Sequence, residues 1–141
     1  MRLSSDDELA ILRLLNAYAQ TGSRQDVDSW TSLFIEDGVW ERKQAARTGK
    51  YTDRVLVRGK AALRDFAIKS FAMQGDLTYQ YISANAVIDG DGDQARAVST
   101  AFIFGIDSGG VTVVLIGNFE DRFERTSDGW KFAYRGMSVS T

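Results

Sequence analysis

The first part of the chain has the hydrophobic pattern of a helix. Between Ser4 and Gly22, apolar residues recur every three or four positions, which predicts a helix. Its apolar residues are Leu9, Ile11, Leu12, Leu14, Leu15, Tyr18 and Ala19. They cover much of the circumference, so we expect this helix to be well buried. Ser4 or Ser5 before acidic residues is typical of an N-cap, and Gly22 of a C-terminal stop.

The next part mixes short apolar and polar segments. It predicts a helix over 25–34, a turn at 36–38, a strand from 39, a polar loop or flap over 42–53, a return strand over 54–58 and a helix over 60–73. The turn rests on Glu36-Asp37-Gly38, and Gly59 opens the last helix. These elements add two helices and a short hairpin to the first helix.

From Leu77 onward the period changes to two, which predicts strands. Four long strands are expected over 77–88, 94–106, 111–125 and 130–139, joined by tight glycine turns. Interior glycines at Gly105, Gly117 and Gly136 indicate bends, so the sheet should be strongly curved. The order predicts an α+β fold in which N-terminal helices pack on one face of a mainly antiparallel sheet. Such a sheet leaves a concave interior, a common place for a ligand.

Composition narrows the chemistry. The 141 residues fit one domain, 1–141, and a 44% hydrophobic composition with a net charge of -2 excludes disorder and non-specific binding to nucleic acid or anionic membranes. No segment is typical of a signal peptide or a membrane span, so we expect a cytoplasmic protein. With neither cysteine nor histidine, only carboxylates, Tyr, Lys and water remain for proton transfer. The sequence predicts neither a metal nor a cofactor, and the aspartates at 89–93 are a hairpin turn rather than a calcium loop.

Seven short motifs resemble, in order and spacing, the SnoaL-like group of the NTF2-like (nuclear transport factor 2-like) superfamily. They are Ile11-Leu-Arg-Leu-Leu-Asn-Ala-Tyr18, Asp26-Val-Asp-Ser-Trp30-Thr-Ser-Leu33-Phe34, Glu36-Asp37-Gly38-Val39-Trp40, Val57-Arg-Gly59-Lys-Ala-Ala-Leu63, Asn85-Ala-Val-Ile-Asp89, Gly117-Asn-Phe119-Glu-Asp121-Arg-Phe123 and Gly129-Trp130-Lys-Phe132-Ala-Tyr-Arg135. The resemblance covers nearly the whole chain. It implies a cone-shaped pocket, a dimer or trimer, and relatives such as polyketide cyclases and scytalone-dehydratase-like or dehydrochlorinase-like lyases.

The resemblance also implies an Asp–His dyad, of which this chain has half. Asp26 stands where the family's Asp is expected, and Tyr81 stands where its His is expected. Asp26 is either an acid or base in the pocket or the N-cap of the second helix. Tyr81 and Tyr79 share a predicted strand face with Asn85, and they either bind a substrate oxyanion or line the core. Ketosteroid isomerase, in the same superfamily, uses Tyr and a protonated Asp as oxyanion donors, so a site without histidine is feasible.

Other residues are candidates for the pocket wall or for substrate binding. Aromatic wall candidates are Tyr18, Trp30, Trp40, Phe102 and Phe104, although such aromatics commonly form core. Arg135 lies in the last strand, where alternation puts Trp130, Phe132 and Tyr134 on the opposite face. It either binds a substrate anion, pairs with Asp26, or is an exposed or salt-bridged arginine.

Three functions follow. The first is a cofactor-free proton-transfer enzyme, an isomerase, dehydratase or cyclase, that acts on a small hydrophobic cyclic molecule with Asp26 and Tyr81 as catalytic residues. The second is a non-catalytic small-molecule-binding protein or partner subunit, favoured by the missing histidine. The third is a structural dimer with a collapsed pocket.

Overall fold

The computed structural model describes residues 2–43 and 53–140. The helices are α1 Ser5–Ser23, α2 Val27–Ser32 and α3 Lys60–Ala72. The strands are β1 Phe34–Arg42, β2 Val55–Arg58, β3 Thr78–Asp91, β4 Gln94–Asp107, β5 Gly110–Thr126 and β6 Gly129–Val139. The predicted α+β class, with helices first and long strands after, is confirmed. The predicted flap lies mostly outside the described residues.

All described strands form one open sheet in the order β2-β1-β6-β5-β4-β3. Neighbours pair antiparallel except β1 and β6, which run parallel. The helices α1 and α3 pack against this sheet, α1 on β3 and β6 and α3 on β1 and β2. Between them lies an aromatic core in which Phe34, Phe123 and Phe132 are almost completely buried. The first and last strands of the chain therefore meet in the middle of the sheet.

Helix α1 begins as its sequence predicts but buries a narrower face. The Ser4 hydroxyl accepts from Asp7 N at 3.1 Å, and the Asp7 carboxylate accepts from Ser4 N at 3.3 Å, which forms a capping box. Leu9 and Leu12 are 46% and 40% exposed, so the predicted burial around the helix is wrong for these two residues. Only one side of α1 faces the sheet, and both leucines lie outside it.

Gly22 does not end α1, which continues to Ser23. A Cβ atom at Gly22 would lie 3.2 Å from the Tyr81 ring, a tighter distance than a normal contact. The glycine therefore allows β3 to approach the helix closely. Its role in this position is close packing rather than termination of the helix.

The second helix is shorter than predicted, and the predicted turn after it is part of a strand. Helix α2 ends at Ser32 because Phe34 already pairs with Phe132 of β6. The segment with Asp37 and Gly38 stays within β1, where the pairing shifts register between Phe34 and Val39. The irregularity that the sequence signals at this point is a bulge.

Two further bulges change which face particular side chains take. In β3, one extra residue lies between the pairs Ala84–Thr100 and Val87–Val98, and Asn85 has a φ of 59° there. Tyr79 and Tyr81 share a face as predicted, but Asn85 and Val87 do not continue it, and both are exposed. In β6 the extra residue is Ala133, which lies between the pairs Phe123–Phe132 and Arg122–Tyr134.

Among the described helices, none combines the length and apolar content that a membrane span requires.

Candidate active site

A cavity of about 480 Å³ lies between the helices and the sheet. Its wall comes from α1, α2, α3 and every strand of the sheet, which explains why distant segments are needed to build it. Most of the lining is aromatic or aliphatic, and its polar side chains include Tyr18, Tyr79, Tyr81 and Arg42. A volume in this range is typical of sites for drug-sized molecules. The cavity is therefore suited to a small, largely apolar ligand.

The lining contains no carboxylate among the described residues. The sequence adds none from positions 44–52, which contain neither Asp nor Glu. With histidine absent from the chain, no conventional general base lies on the described wall. The described residues also contain no group of three Asp or Glu side chains that could hold a metal ion.

Tyr18 has the most defined polar environment in the cavity wall. Its side chain is 8% exposed, and its hydroxyl accepts a hydrogen bond from Trp40 Nε1 at 2.9 Å. The aromatic rings of Trp30 and Phe119 lie with centroids 5.7 Å from the Tyr18 ring. Burial raises the pKa of the Tyr18 hydroxyl, while the nearby Arg135 cation opposes that rise. The hydroxyl therefore keeps its proton near neutral pH and can donate it.

Arg135 forms a buried ion pair behind this wall. Its side chain is fully buried, and its Nε atom lies 3.4 Å from Asp121 Oδ1, without hydrogen-bond geometry. The guanidinium carbon lies 3.4 Å from the Phe119 ring centroid and 4.0 Å from that of Tyr18. Burial raises the pKa of the Asp121 carboxyl to about 6, against the opposing effect of Arg135. A cation therefore sits one aromatic layer behind the cavity.

The position of Arg135 corrects the sequence-based assignment. Alternation put Arg135 on the opposite face from Phe132, but the extra residue Ala133 brings both side chains into the core. Its charge partner is Asp121, and it is not a cavity-lining residue. Of the alternatives that the sequence left open, the structure has the salt-bridged arginine, which is buried and pairs with Asp121 rather than with Asp26.

Asp26 caps α2 and is not among the cavity-lining residues. Its carboxylate accepts a hydrogen bond from Ser29 N at 3.2 Å. The hydrogen bonds from Ser29 hold the pKa of Asp26 below its usual value, so the group is charged near neutral pH. Of the two interpretations that the sequence left open for Asp26, the capping geometry is the one present here.

Tyr81 lines the cavity and packs against α1. Its hydroxyl accepts from Gln74 Nε2 at 3.4 Å, and its backbone N donates to Ser23 Oγ at 2.9 Å. Tyr79 lies beside it, with ring centroids 6.2 Å apart. The two tyrosines therefore belong to the same wall, as their spacing predicts.

The site residues predicted from the sequence divide into two groups. Those that line the cavity are Tyr18, Trp30, Trp40, Tyr79, Tyr81 and Phe102, and those that do not are Asp26, Asn85, Phe104 and Arg135. Sequence reasoning missed Arg42 and Phe66 in the wall and Asp121 behind it. Asp121 had a detectable signal, because it lies between Phe119 and Phe123 at the period of a buried strand face.

Known structures share this fold. A protein of unknown function from Mycobacterium tuberculosis, Rv3472, has a TM-score of 0.81 and 25% identity, covering 97% of this chain and 78% of its own. A candidate dehydratase of the NTF2-like family from Streptomyces avermitilis has a TM-score of 0.76 and 16% identity, covering 98% and 99%. A protein from Catenulispora acidiphila, in complex with S-DNPA, has a TM-score of 0.78 and 16% identity, covering 96% and 95%. No curated protein matches the chain.

The fold and cavity define an α+β protein whose curved sheet and helices enclose a small-molecule-sized space. The model of the SnoaL-like domain matches residues 4–136, and the chain belongs to that family.

Proposed function

We propose that this protein binds a small hydrophobic cyclic molecule in its cavity, with a carbonyl-type oxygen of that molecule against the Tyr18 hydroxyl. The observation that carries the proposal is the bond from Trp40 Nε1 to Tyr18 Oη. The indole occupies an acceptor position of the hydroxyl, and no acceptor for its proton occurs among the described residues. Because Tyr18 lines the cavity, a ligand oxygen is the acceptor that would satisfy it.

The electrostatics support an oxygen with partial negative charge. The Arg135 guanidinium lies 4.0 Å from the Tyr18 ring centroid, and its positive charge favours negative charge near the hydroxyl. The rest of the wall is mostly apolar, which strengthens one well-placed hydrogen bond. A ring with a single carbonyl group fits both properties.

A second candidate function is catalysis of proton transfer on the same ligand, as in an isomerase, dehydratase or cyclase. It is favoured by the Tyr18 hydroxyl, since a buried donor that stays protonated can stabilise a developing oxyanion. Tyr81 would orient the substrate, and Asp26 could act as base only if its side chain moved into the cavity, which it does not line in this structure. Since the described wall holds no carboxylate, binding without turnover is the better supported of the two.

A pair of matched ligands tests the role of Tyr18. We expect 2-acetylnaphthalene to bind the Tyr18→Phe variant about tenfold more weakly than the natural chain, because one buried hydrogen bond is lost. The change in affinity is measured by fluorescence titration. 2-Ethylnaphthalene has the same shape without the oxygen and should bind both proteins equally. Equal affinity of the ketone for the two proteins would contradict the proposal.

The second candidate function, catalysis, is tested by a separate assay. Conversion of a β,γ-unsaturated cyclic ketone to its conjugated isomer, followed by ultraviolet absorbance and lost in the Tyr18→Phe variant, would favour an enzyme. Tight ketone binding without conversion would favour a binding protein. Cytoplasmic location and a dimeric or trimeric state remain proposals that rest on the sequence and the family.

A further inference from the structure

Arg42 is the one formally charged side chain in the described cavity wall. It is the last residue of β1, where it pairs with Val55 of β2 and Met137 of β6. Both neighbours also line the cavity and are apolar. The cation therefore lies at one end of an otherwise mostly apolar wall.

Arg42 and Trp40 are placed at different depths along the same strand. They are two residues apart, so they take the same face of β1, about 7 Å from each other. Trp40 is 4% exposed and holds the Tyr18 hydroxyl, whereas Arg42 is half-buried. Glu41, between them, bonds on the other face to Arg54 and to the Tyr134 hydroxyl. One strand thus presents a deep neutral donor site and a shallower cationic site to the same cavity.

We propose that the natural ligand is an amphipathic acid: a ring system whose carbonyl oxygen contacts Tyr18 and whose carboxylate contacts Arg42. This inference rests on the proposed binding function and adds the chemical class of the ligand. Trp40, which donates to the Tyr18 hydroxyl, and Arg42 are two residues apart on β1, so their Cα atoms lie about 7 Å apart, and an apolar ring joins the two polar groups of the ligand.

The chemistry of Arg42 suits that role. A guanidinium binds a carboxylate through two parallel hydrogen bonds, which also fixes the orientation of the acid. Val55 and Met137 flank the site with apolar surface, and charges interact more strongly where water is partly excluded. A neutral ligand of the same shape would leave this contact unused.

The test compares 6-acetyl-2-naphthoic acid with its carboxamide, which has the same shape and no charge. We expect the acid to bind the natural chain about tenfold or more tightly than the amide, because charge-assisted bonds are stronger than neutral ones. The ratio should fall to about one in Arg42→Gln and be partly retained in Arg42→Lys, which keeps the charge but not the planar fork. Fluorescence titration gives the affinities, and thermal unfolding shows that each variant folds.

Lys43→Gln is the matched control. It removes one positive charge from the adjacent residue, which pairs with Glu120 at 3.4 Å and does not line the cavity. The ratio of acid to amide affinity should be unchanged in this variant. Equal affinities for the acid and the amide in the natural chain would overturn the role of Arg42. So would a fall of the acid-to-amide ratio in Lys43→Gln as large as that in Arg42→Gln.

The outcomes separate the two proposals. If the amide and 2-acetylnaphthalene bind with the expected dependence on Tyr18 but the acid gains nothing, the cavity binds ketones and the amphipathic acid is wrong. If none of these probes binds, the proposed function and this inference fail together.

Discussion

Replacing Arg135 with methionine is expected to lower the free energy of unfolding by about 3–5 kcal/mol. The substitution would leave Asp121, whose side chain is fully buried, without the cation that lies 3.4 Å away. It would also remove the guanidinium that packs on the Tyr18 and Phe119 rings. Urea denaturation of the two proteins measures the difference.

Two further variants show whether charge is the cause. The double variant Arg135→Met with Asp121→Leu should recover most of the loss, since an apolar pair of similar volume carries no unpaired charge. Arg96→Met removes an arginine that is 76% exposed and pairs with Asp89, and it should cost less than about 1 kcal/mol. A small effect of Arg135→Met alone, comparable to that of Arg96→Met, would show that the buried pair has little role in stability.

Filling the cavity is expected to abolish binding. Ala101 lies in β4, lines the cavity and is 4% exposed. In Ala101→Phe the new ring would occupy the space that the ligand needs, so the affinity for 2-acetylnaphthalene should fall at least about 100-fold, or about 2.8 kcal/mol. Stability should also fall, by about 1–3 kcal/mol, because Ala101 belongs to the buried core and the larger side chain meets packed neighbours on one side. Fluorescence titration and thermal unfolding measure the two properties.

Thr100→Phe provides the matched control for this variant. Thr100 is the preceding residue of β4, is only partly buried and does not line the cavity. We expect it to bind the ketone as the natural chain does. Loss of binding in both variants would indicate a general disturbance of β4, and retained binding in Ala101→Phe would place the ligand elsewhere.

The sequence predicted the elements of the fold well where the hydrophobic period and the capping residues indicate the same element. The capping box at Ser4 and the change to a period of two after Leu77 gave the first helix and the long strands close to their true limits. It failed where one extra residue changes the face of a strand. Bulges at Asn85 and Ala133 reverse the alternation, and a bulge depends on pairing with a distant strand.

The candidate site was only partly predictable for the same reason. The family resemblance puts Tyr81 at the position where relatives have the His of the dyad, and its side chain lines the cavity. The role of Tyr18 depends on its bond to Trp40, which is 22 positions away in the chain. No local pattern reveals such a contact. Helix capping, by contrast, depends on local sequence alone, and the Asp26 carboxylate caps α2 in this structure.

A crystal structure of the complex with 2-acetylnaphthalene would show whether Tyr18 holds the ligand oxygen. We expect the naphthalene ring inside the cavity and its carbonyl oxygen within about 2.5–3.0 Å of Tyr18 Oη, with the bond from Trp40 Nε1 retained. A ring bound outside the cavity, or a carbonyl turned away from Tyr18, would contradict it.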